Sequence, residues 1–256
     1  VAMYVKKEAV LSSQIEGTQA SFVDVLSTEY NQADDQRHDD VKEVINYVDA
    51  MNWGLEQLAS FPLSLRLIRN IHARLIHNTH GANKNPGEFR TSQNWIGPAG
   101  CTLNTATFVP PTVPDMNVAL GDLELFIHQE DFIPALVKIA MIHAQFETIH
   151  PFLDGNGRMG RLLITFWLCQ QNILTKPLLY LSFYFKKNRA EYYDRLMAVR
   201  KNGDWENWIK FFLRGIAEVS DEATESARAI LKIKEDATNA LYKKDGTNSN
   251  YQRLLN

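Results

Sequence analysis

HPFLDGNGRMGR, residues 150–161, sets a histidine, an acid, three glycines, an asparagine and two arginines between two apolar stretches. Asp131 to Ile149 before it and Leu162 to Gln171 after it carry apolar residues at three- and four-residue spacing, the period of a buried helix. Asp131 is expected to cap the first of these, with Pro134 in its first turn, where a missing N–H costs nothing. A chain able to run one buried helix here breaks it with a polar, flexible insert instead, and the insert's chemistry has to justify the break.

The spacing of Gly155, Gly157 and Gly160 matches the dinucleotide fingerprint G-x-G-x-x-G. That fold needs a strand before the glycines and an acid about 20 residues after them. Here the preceding residues have helical period, and no Asp or Glu occurs between Asp154 and Glu191. Both counts argue against it. A kinase would add HRD, DFG and VAIK, and a Walker A loop would add Gly-Lys-Ser/Thr; neither set is present.

A helix, a glycine-rich loop and a second helix remain. The N–H groups of Gly155, Asn156 and Gly157, with the first turn of a helix opened by Arg158, form a concave donor set suited to polyphosphate oxygens. Arg158 and Arg161, three apart on one helical face, are placed to reach the same anion. Asp154 would be repelled there unless a cation intervened, and phosphate-bridging Mg²⁺ is the natural candidate. His150 stands at the other lip as a proton acceptor, although a helix C-terminus favours imidazolium. Taken singly, the histidine reads as a cap, the arginines as solvated and the glycines as a turn. Together they read as a site.

Elsewhere the pattern is mainly helical, over Val41–Leu58, Leu63–Ile76, Asp115–His128, a segment starting at Ser182 or Asn188 and running through Arg200, and an amphipathic stretch from Trp205 to Leu241. The exception is Glu88 to Pro114, where FRTSQNWIG and TATFVPP are expected to pair as a β-hairpin, the one credible sheet. The chain divides into an N-terminal helical region (1–60), a core (61–215) and a helical C-terminal extension (216–256). KKDGTNSN reads as a linker and YQRLLN as the start of another element, while Val1 in place of Met implies a natural start upstream. The net charge of −3 on 256 residues gives no general pull toward nucleic acid or anionic membrane. Cys101 and Cys169 have no CxxC partner and read as reduced, and the histidines at 38, 72, 77, 80, 128 and 143 form no metal-ligand set. No apolar run suits a membrane span and no signal peptide opens the chain, which points to the cytoplasm.

Residues 150–161 match the H-x-F-x-D-G-N-G-R-x-x-R signature of Fic-domain proteins at every specified position, and the chain resembles that family over most of its length. The resemblance implies a helical Fic fold with a β-hairpin flap and a phosphate-binding loop between two core helices. It implies transfer of AMP from ATP to a Ser, Thr or Tyr hydroxyl of a target protein. His150 would take the hydroxyl proton and Asp154 would hold Mg²⁺. Gly155, Asn156, Gly157 and Gly160 would bind phosphates, with Arg158 and Arg161 neutralising the leaving pyrophosphate. SSQIEG, residues 12–17, reads on its own as a helix end with Gly17 as the terminating residue. It also resembles the family's inhibitory pattern [S/T]-x-x-x-E-[G/N], in which Ser12, Glu16 and Gly17 belong to an N-terminal helix and Glu16 forks onto Arg161.

By the same resemblance, Thr91, Ser92, Gln93, Asn94 and Trp95 form the flap edge that docks the target by strand addition. Tyr184, Asn188, Tyr192 and Tyr193 lie by the adenine pocket. Doc-like relatives, which phosphorylate their targets, place lysine at the position of Gly157. De-AMPylation and a non-catalytic nucleotide sensor fused to a DNA-binding module beyond residue 256 stay open as alternatives. The extension at 216–256 would serve either a homodimer contact or such a module.

Overall fold

In a computed structural model, residues 2–28, 38–79, 81–98 and 100–244 are described. Ten α-helices form there: α1 (Ala2–Ile15), α2 (Phe22–Thr28), α3 (His38–Leu58), α4 (Leu65–Leu75), α5 (Val113–His128), α6 (Ala135–Ile149), α7 (Asn156–Gln170), α8 (Ser182–Lys187), α9 (Arg189–Asn202) and α10 (Trp205–Lys244). The mainly helical architecture is the one expected from periodicity. His80, the tract from Asp245 and the final YQRLLN lie outside the described residues.

The apolar sequence after residue 161 makes α7 the central helix. It is buried along nearly its whole length, from Asn156 to Leu168, as a helix apolar on all sides must be. Helices α6, α3, α4 and α1 pack around it. Gly54 of α3 lets the Phe166 ring approach that helix backbone, where any Cβ would clash. The buried core runs without a break from Val5 of α1 to Val219 of α10. Beyond that point α10 is largely exposed, with Ile230, Leu231 and Ile233 facing outward. No helix among the described residues is long and apolar enough to cross a membrane.

Local rules account for most boundaries. Thr112 caps α5 by accepting from the Asp115 N–H. Gly203, at φ 66°, ends α9 in the left-handed region. Three expectations change. Helix α6 starts at Ala135 with Pro134 at its cap position, because Asp131 instead accepts from the Ile133 N–H at 2.9 Å and pairs with Lys138 at 2.9 Å. Both suggested starts near residue 185 are used, since Asn188 breaks the segment into α8 and α9. Finally, the hairpin expected over 88–114 forms no strand among the described residues. One antiparallel bridge joins Ile96 and Phe108, and a single 3-10 turn at Leu103–Thr105 fills the loop between them. The prolines at 98, 110, 111 and 114 remove the N–H donors that a longer ladder needs.

Candidate active site

The loop between α6 and α7 closes on itself. Asn156 spends its carboxamide on Phe152, accepting from its N–H and donating to its carbonyl, both at 2.8 Å. Phe152 is buried and stacked on His72 at 3.6 Å between ring centroids. The His72 ring bonds the Asp154 carbonyl at 2.9 Å and accepts from the Gly87 N–H at 3.0 Å. His72 is therefore a buried pillar of the loop. Gly155 takes φ 74° and lies so close to Ile76 and His72 that a side chain would be both strained and crowded.

Helix α7 opens at Asn156 rather than Arg158. The Gly155 N–H is occupied by Asp154 Oδ1 at 2.6 Å, so it drops out of the donor set. The first-turn N–H groups of Asn156, Gly157 and Arg158 lack intrahelical acceptors and carry the helix's partial positive charge. Gly160 faces α6. Its carbonyl bonds His143 at 3.0 Å, and a Cβ there would strike the Glu147 carboxylate, so it makes room and does not line the donor set.

His150 ends α6 in the left-handed region, φ 49° and ψ 60°, a conformation uncommon for a residue with a Cβ. Burial and the nearby Arg200 push its imidazole down to about 4, against the pull of the Glu147 carbonyl and Glu16, with Arg90 adding to the depression. The ring is thus neutral at pH 7, which resolves the tension between a helix C-terminus and a proton acceptor. Its carbonyl accepts from Arg90 Nε at 3.1 Å and Asn94 Nδ2 at 3.4 Å.

Both arginines of the loop are buried and engaged with acids from the N-terminal helices. Arg158 pairs with Glu43 of α3 at 3.0 Å and lies 3.7 Å from Asp154. Arg161 donates from Nε to Ser12 Oγ at 2.8 Å, and from Nη2 to the Ser12 carbonyl at 3.0 Å and Glu16 Oε1 at 2.6 Å. The Glu16 contact uses Nη2 alone, which it shares with the Ser12 carbonyl, and is not the forked pair expected. Burial works against the Glu16 charge, yet Arg161 and Arg158 hold its carboxyl below the usual range. Its Oε1 also sits over Gly157, in space that any Cβ would enter. A carboxylate at the end of α1 thus lies over the first turn of α7. Glu16 is aimed there by the helix end: Gly17 at φ 110° and the bonds Gly17 N–H to Gln14 O (3.2 Å) and Thr18 N–H to Ser13 O (3.3 Å) form a Schellman motif.

Asp154 stands at the rim, with Gly81 leaving space for its Oδ2. Among the described residues no group of three acidic, histidine or cysteine side chains converges to cage an ion. A lone carboxylate of this kind suits Mg²⁺ only where phosphates would complete its ligand set.

The remaining expected residues are dispersed. Tyr184 is core, packed on Phe211 and against Gly215. Asn188 donates to the Tyr184 carbonyl at 3.0 Å. Tyr192 is buried and bonded to His143 at 2.9 Å. Tyr193 is about one-third exposed; partial burial and then Glu16 raise its phenol to about 12, which marks its nearness to Glu16. In the 88–114 segment, Thr91 and Ser92 are exposed, as is Trp95, whose indole donates to the Cys101 carbonyl at 3.0 Å. Gln93 and Asn94 turn inward, onto Pro110 O (2.9 Å) and Phe152 O (3.0 Å).

Sequence reasoning missed four buried residues. Arg90 binds the His150 carbonyl, Glu43 binds Arg158, and Glu147 lies under Gly160. Glu8 of α1 accepts from the Ser182 N–H (3.1 Å) and hydroxyl. One signal for Glu8 was available: Glu8, Ser12 and Glu16 recur every four residues, on one face of α1.

Residues 62–168 match the model of the Fic/DOC family and residues 1–56 that of the Fic/DOC family N-terminal region. The chain is similar to the protein adenylyltransferase Fic of Aedes aegypti, 31% identical over 165 residues, covering 64% of this chain and 29% of the relative. The corresponding protein of Culex quinquefasciatus is 29% identical over the same share of each. The chain therefore spans under a third of the length of these relatives. Among solved structures, a Fic family protein from Desulfovibrio desulfuricans superposes with a TM-score of 0.73 at 20% identity, over 88% of this chain and 66% of that one. A Fic-domain signalling protein from Bacteroides thetaiotaomicron superposes with a TM-score of 0.67 at 17% identity, over 86% and 87%.

Proposed function

The chain belongs to the Fic/DOC family, and we propose that it transfers AMP from ATP to a Ser, Thr or Tyr hydroxyl of a protein target, held in check by Glu16. The observation that carries this reading is the convergence at one junction of a neutral imidazole, the first-turn N–H groups of α7 and two arginines, with a carboxylate from another helix lying over the same turn. The similar proteins from Aedes and Culex are likewise named protein adenylyltransferases.

In this reading the triphosphate lies along the first turn of α7, where N–H groups and the helix dipole favour anions. Neutral His150 accepts the proton of the target hydroxyl as its oxygen attacks the α-phosphorus. The bond from that phosphorus to the bridging oxygen breaks, and pyrophosphate leaves against Arg158 and Arg161. The negative charge of bound ATP raises the imidazole pKa from about 4, toward the range where a base is most effective. Asp154 would hold Mg²⁺ with the phosphates, the ion supplying charge neutralisation when bound. Glycine at 157 in place of a Doc-type lysine favours AMP transfer over phosphorylation.

Glu16 opposes this by occupying both a donor of Arg161 and the space over Gly157. A phosphate chain displaced by about 1 Å loses on the order of 10²-fold in rate. The test uses the protein and its Glu16→Gly variant, a cell lysate, Mg²⁺ and ATP labelled at the α- or the γ-phosphate. Label from the α position alone, raised about 10²-fold in the variant, is expected. Label from the γ position alone means a phosphotransferase, and an unchanged rate in the variant overturns the inhibitory role of Glu16.

A further inference from the structure

Arg90 is 1% exposed, and no carboxylate among the described residues pairs with it. Three carbonyls solvate it instead. Nε donates to His150 O at 3.1 Å, Nη1 to Ser92 O at 3.2 Å and Nη2 to Pro111 O, while its own N–H donates to Pro151 O at 2.8 Å. Those acceptors belong to three different pieces of chain: the signature loop, the outgoing leg of the 88–114 segment and its returning leg. Burying a guanidinium without a counter-ion is costly, so an arginine kept this way points to a positional use. Apart from Arg90, the contacts described between the two legs are the Ile96–Phe108 bridge and the Gln93 Nε2 bond to Pro110 O at 2.9 Å, so few other ties set their spacing.

We propose that Arg90 is a positioning residue that locks the backbone of His150 and both legs of the 88–114 segment into one unit, so that a target held on that segment meets the imidazole in register. His150 needs such a hold, because its left-handed backbone is uncommon for a residue with a Cβ. The planar fork of arginine reaches three carbonyls at fixed angles, whereas the single nitrogen of lysine does not. Arg90 also faces the imidazole as a cation, beside Arg200 of α9 and opposite Glu16 of α1 and the Glu147 carbonyl of α6. The inference rests on the transferase reading for its functional half and on geometry alone for its structural half.

The test compares Arg90, Arg90→Lys and Arg90→Met in the Glu16→Gly protein. Four readouts are taken: self-labelling from α-labelled ATP, ATP affinity by calorimetry, the His150 imidazole pKa by NMR, and amide exchange at Ile96, Thr107 and Phe108. Arg90→Lys is expected to bind ATP within about 2-fold of the parent yet label at least ~10-fold more slowly, as misregistration by a fraction of an ångström does. Its amides at 96, 107 and 108, which bond across the bridge, exchange faster. Arg90→Met, losing the charge, raises the imidazole pKa as well. If Arg90→Lys matches the parent in labelling and in exchange, the inference fails. If the parent transfers no label, the transferase reading fails, and unchanged exchange in Arg90→Lys then overturns the positioning role by itself. Should Arg90→Met not fold, Arg90→Lys carries the test.

Discussion

The signature loop and helix α1 meet at one junction but are held differently. The loop closes on itself through neighbours, Asn156 to Phe152 and Gly155 to Asp154, all within four residues, and His72 and Arg90 brace it from farther along the chain. Helix α1 is fastened across the chain, through Ser12 and Glu16 to Arg161, up to 149 residues away, and Glu8 to Ser182, 174 away. Local closure costs little loop entropy and gives a rigid site. Helix α1 grips that site through polar side chains while Val5, Ala9, Val10 and Ile15 bind it into the core. In the proposed reading this difference separates the chemistry from its control, and the experiments below can break that division.

The largest expected effect concerns the loop. In the Glu16→Gly protein, His150→Ala should cut transfer by ~10²- to 10⁴-fold, the usual range for losing a general base. ATP affinity, measured by calorimetry, should stay within a few-fold. A matching loss of ATP affinity would mean that the histidine supports the phosphate site itself, and the loop would then lose its separation of binding from proton transfer.

The next effect concerns α1 and is a pH dependence. Burial raises Glu8 to about 7, against the hydrogen bonds from Ser182 and the charge of Arg161, whereas the free side chain titrates at 4.5. The folded protein therefore holds this proton up to about pH 7 and the unfolded chain releases it near 4.5. Stability attached to Glu8 falls as pH rises through that window, by about 3 kcal/mol in all. Buried His72 and His143, lowered to about 4 and about 3, push the other way below pH 6.5. The difference between Glu8→Gln and the parent is thus the quantity to measure. In denaturant melts from pH 4.5 to 8, Glu8→Gln should gain on the parent as pH rises. A constant difference would remove Glu8 as a titrating anchor of α1.

The same contrast explains how much was legible. That His150, Asp154 and the two arginines share one junction was readable because they fall in twelve consecutive positions and helical period fixes the flanking elements, whereas the donor role expected of the Gly155 N–H was not, since Asp154 occupies it. Glu16 and Gly17 were readable as a helix end, and the Schellman bonds bear that out. Glu8, Glu43 and Arg90 were not, since each is an ordinary surface residue type whose meaning comes from a partner far along the chain. The hairpin was over-read for a related reason. FRTSQNWIG has strand composition, but the legs are tied by the side chains of Arg90 and Gln93 to carbonyls of Ser92, Pro110 and Pro111, which composition cannot announce. The aromatic residues at 184 and 192 carry core contacts at the same helical spacing that a ligand pocket would show.

The smallest effect tests whether the loop's rigidity is its own. Asn156 was expected to meet phosphate, but its side chain is occupied by the Phe152 backbone. Asn156→Ala leaves the buried Phe152 N–H without its acceptor, while the Phe152 carbonyl keeps Asn94 at 3.0 Å. One unsatisfied buried donor costs about 1–3 kcal/mol, so thermal unfolding should shift down by several degrees. Asn156→Asp keeps an acceptor for that N–H and should recover part of the loss. If instead Asn156→Ala melts with the parent and loses only ATP affinity, the amide serves the ligand and not the fold. The loop would then owe its shape to Phe152 stacked on His72, a contact spanning the chain, and the distinction between a locally closed site and a distantly held latch would no longer stand.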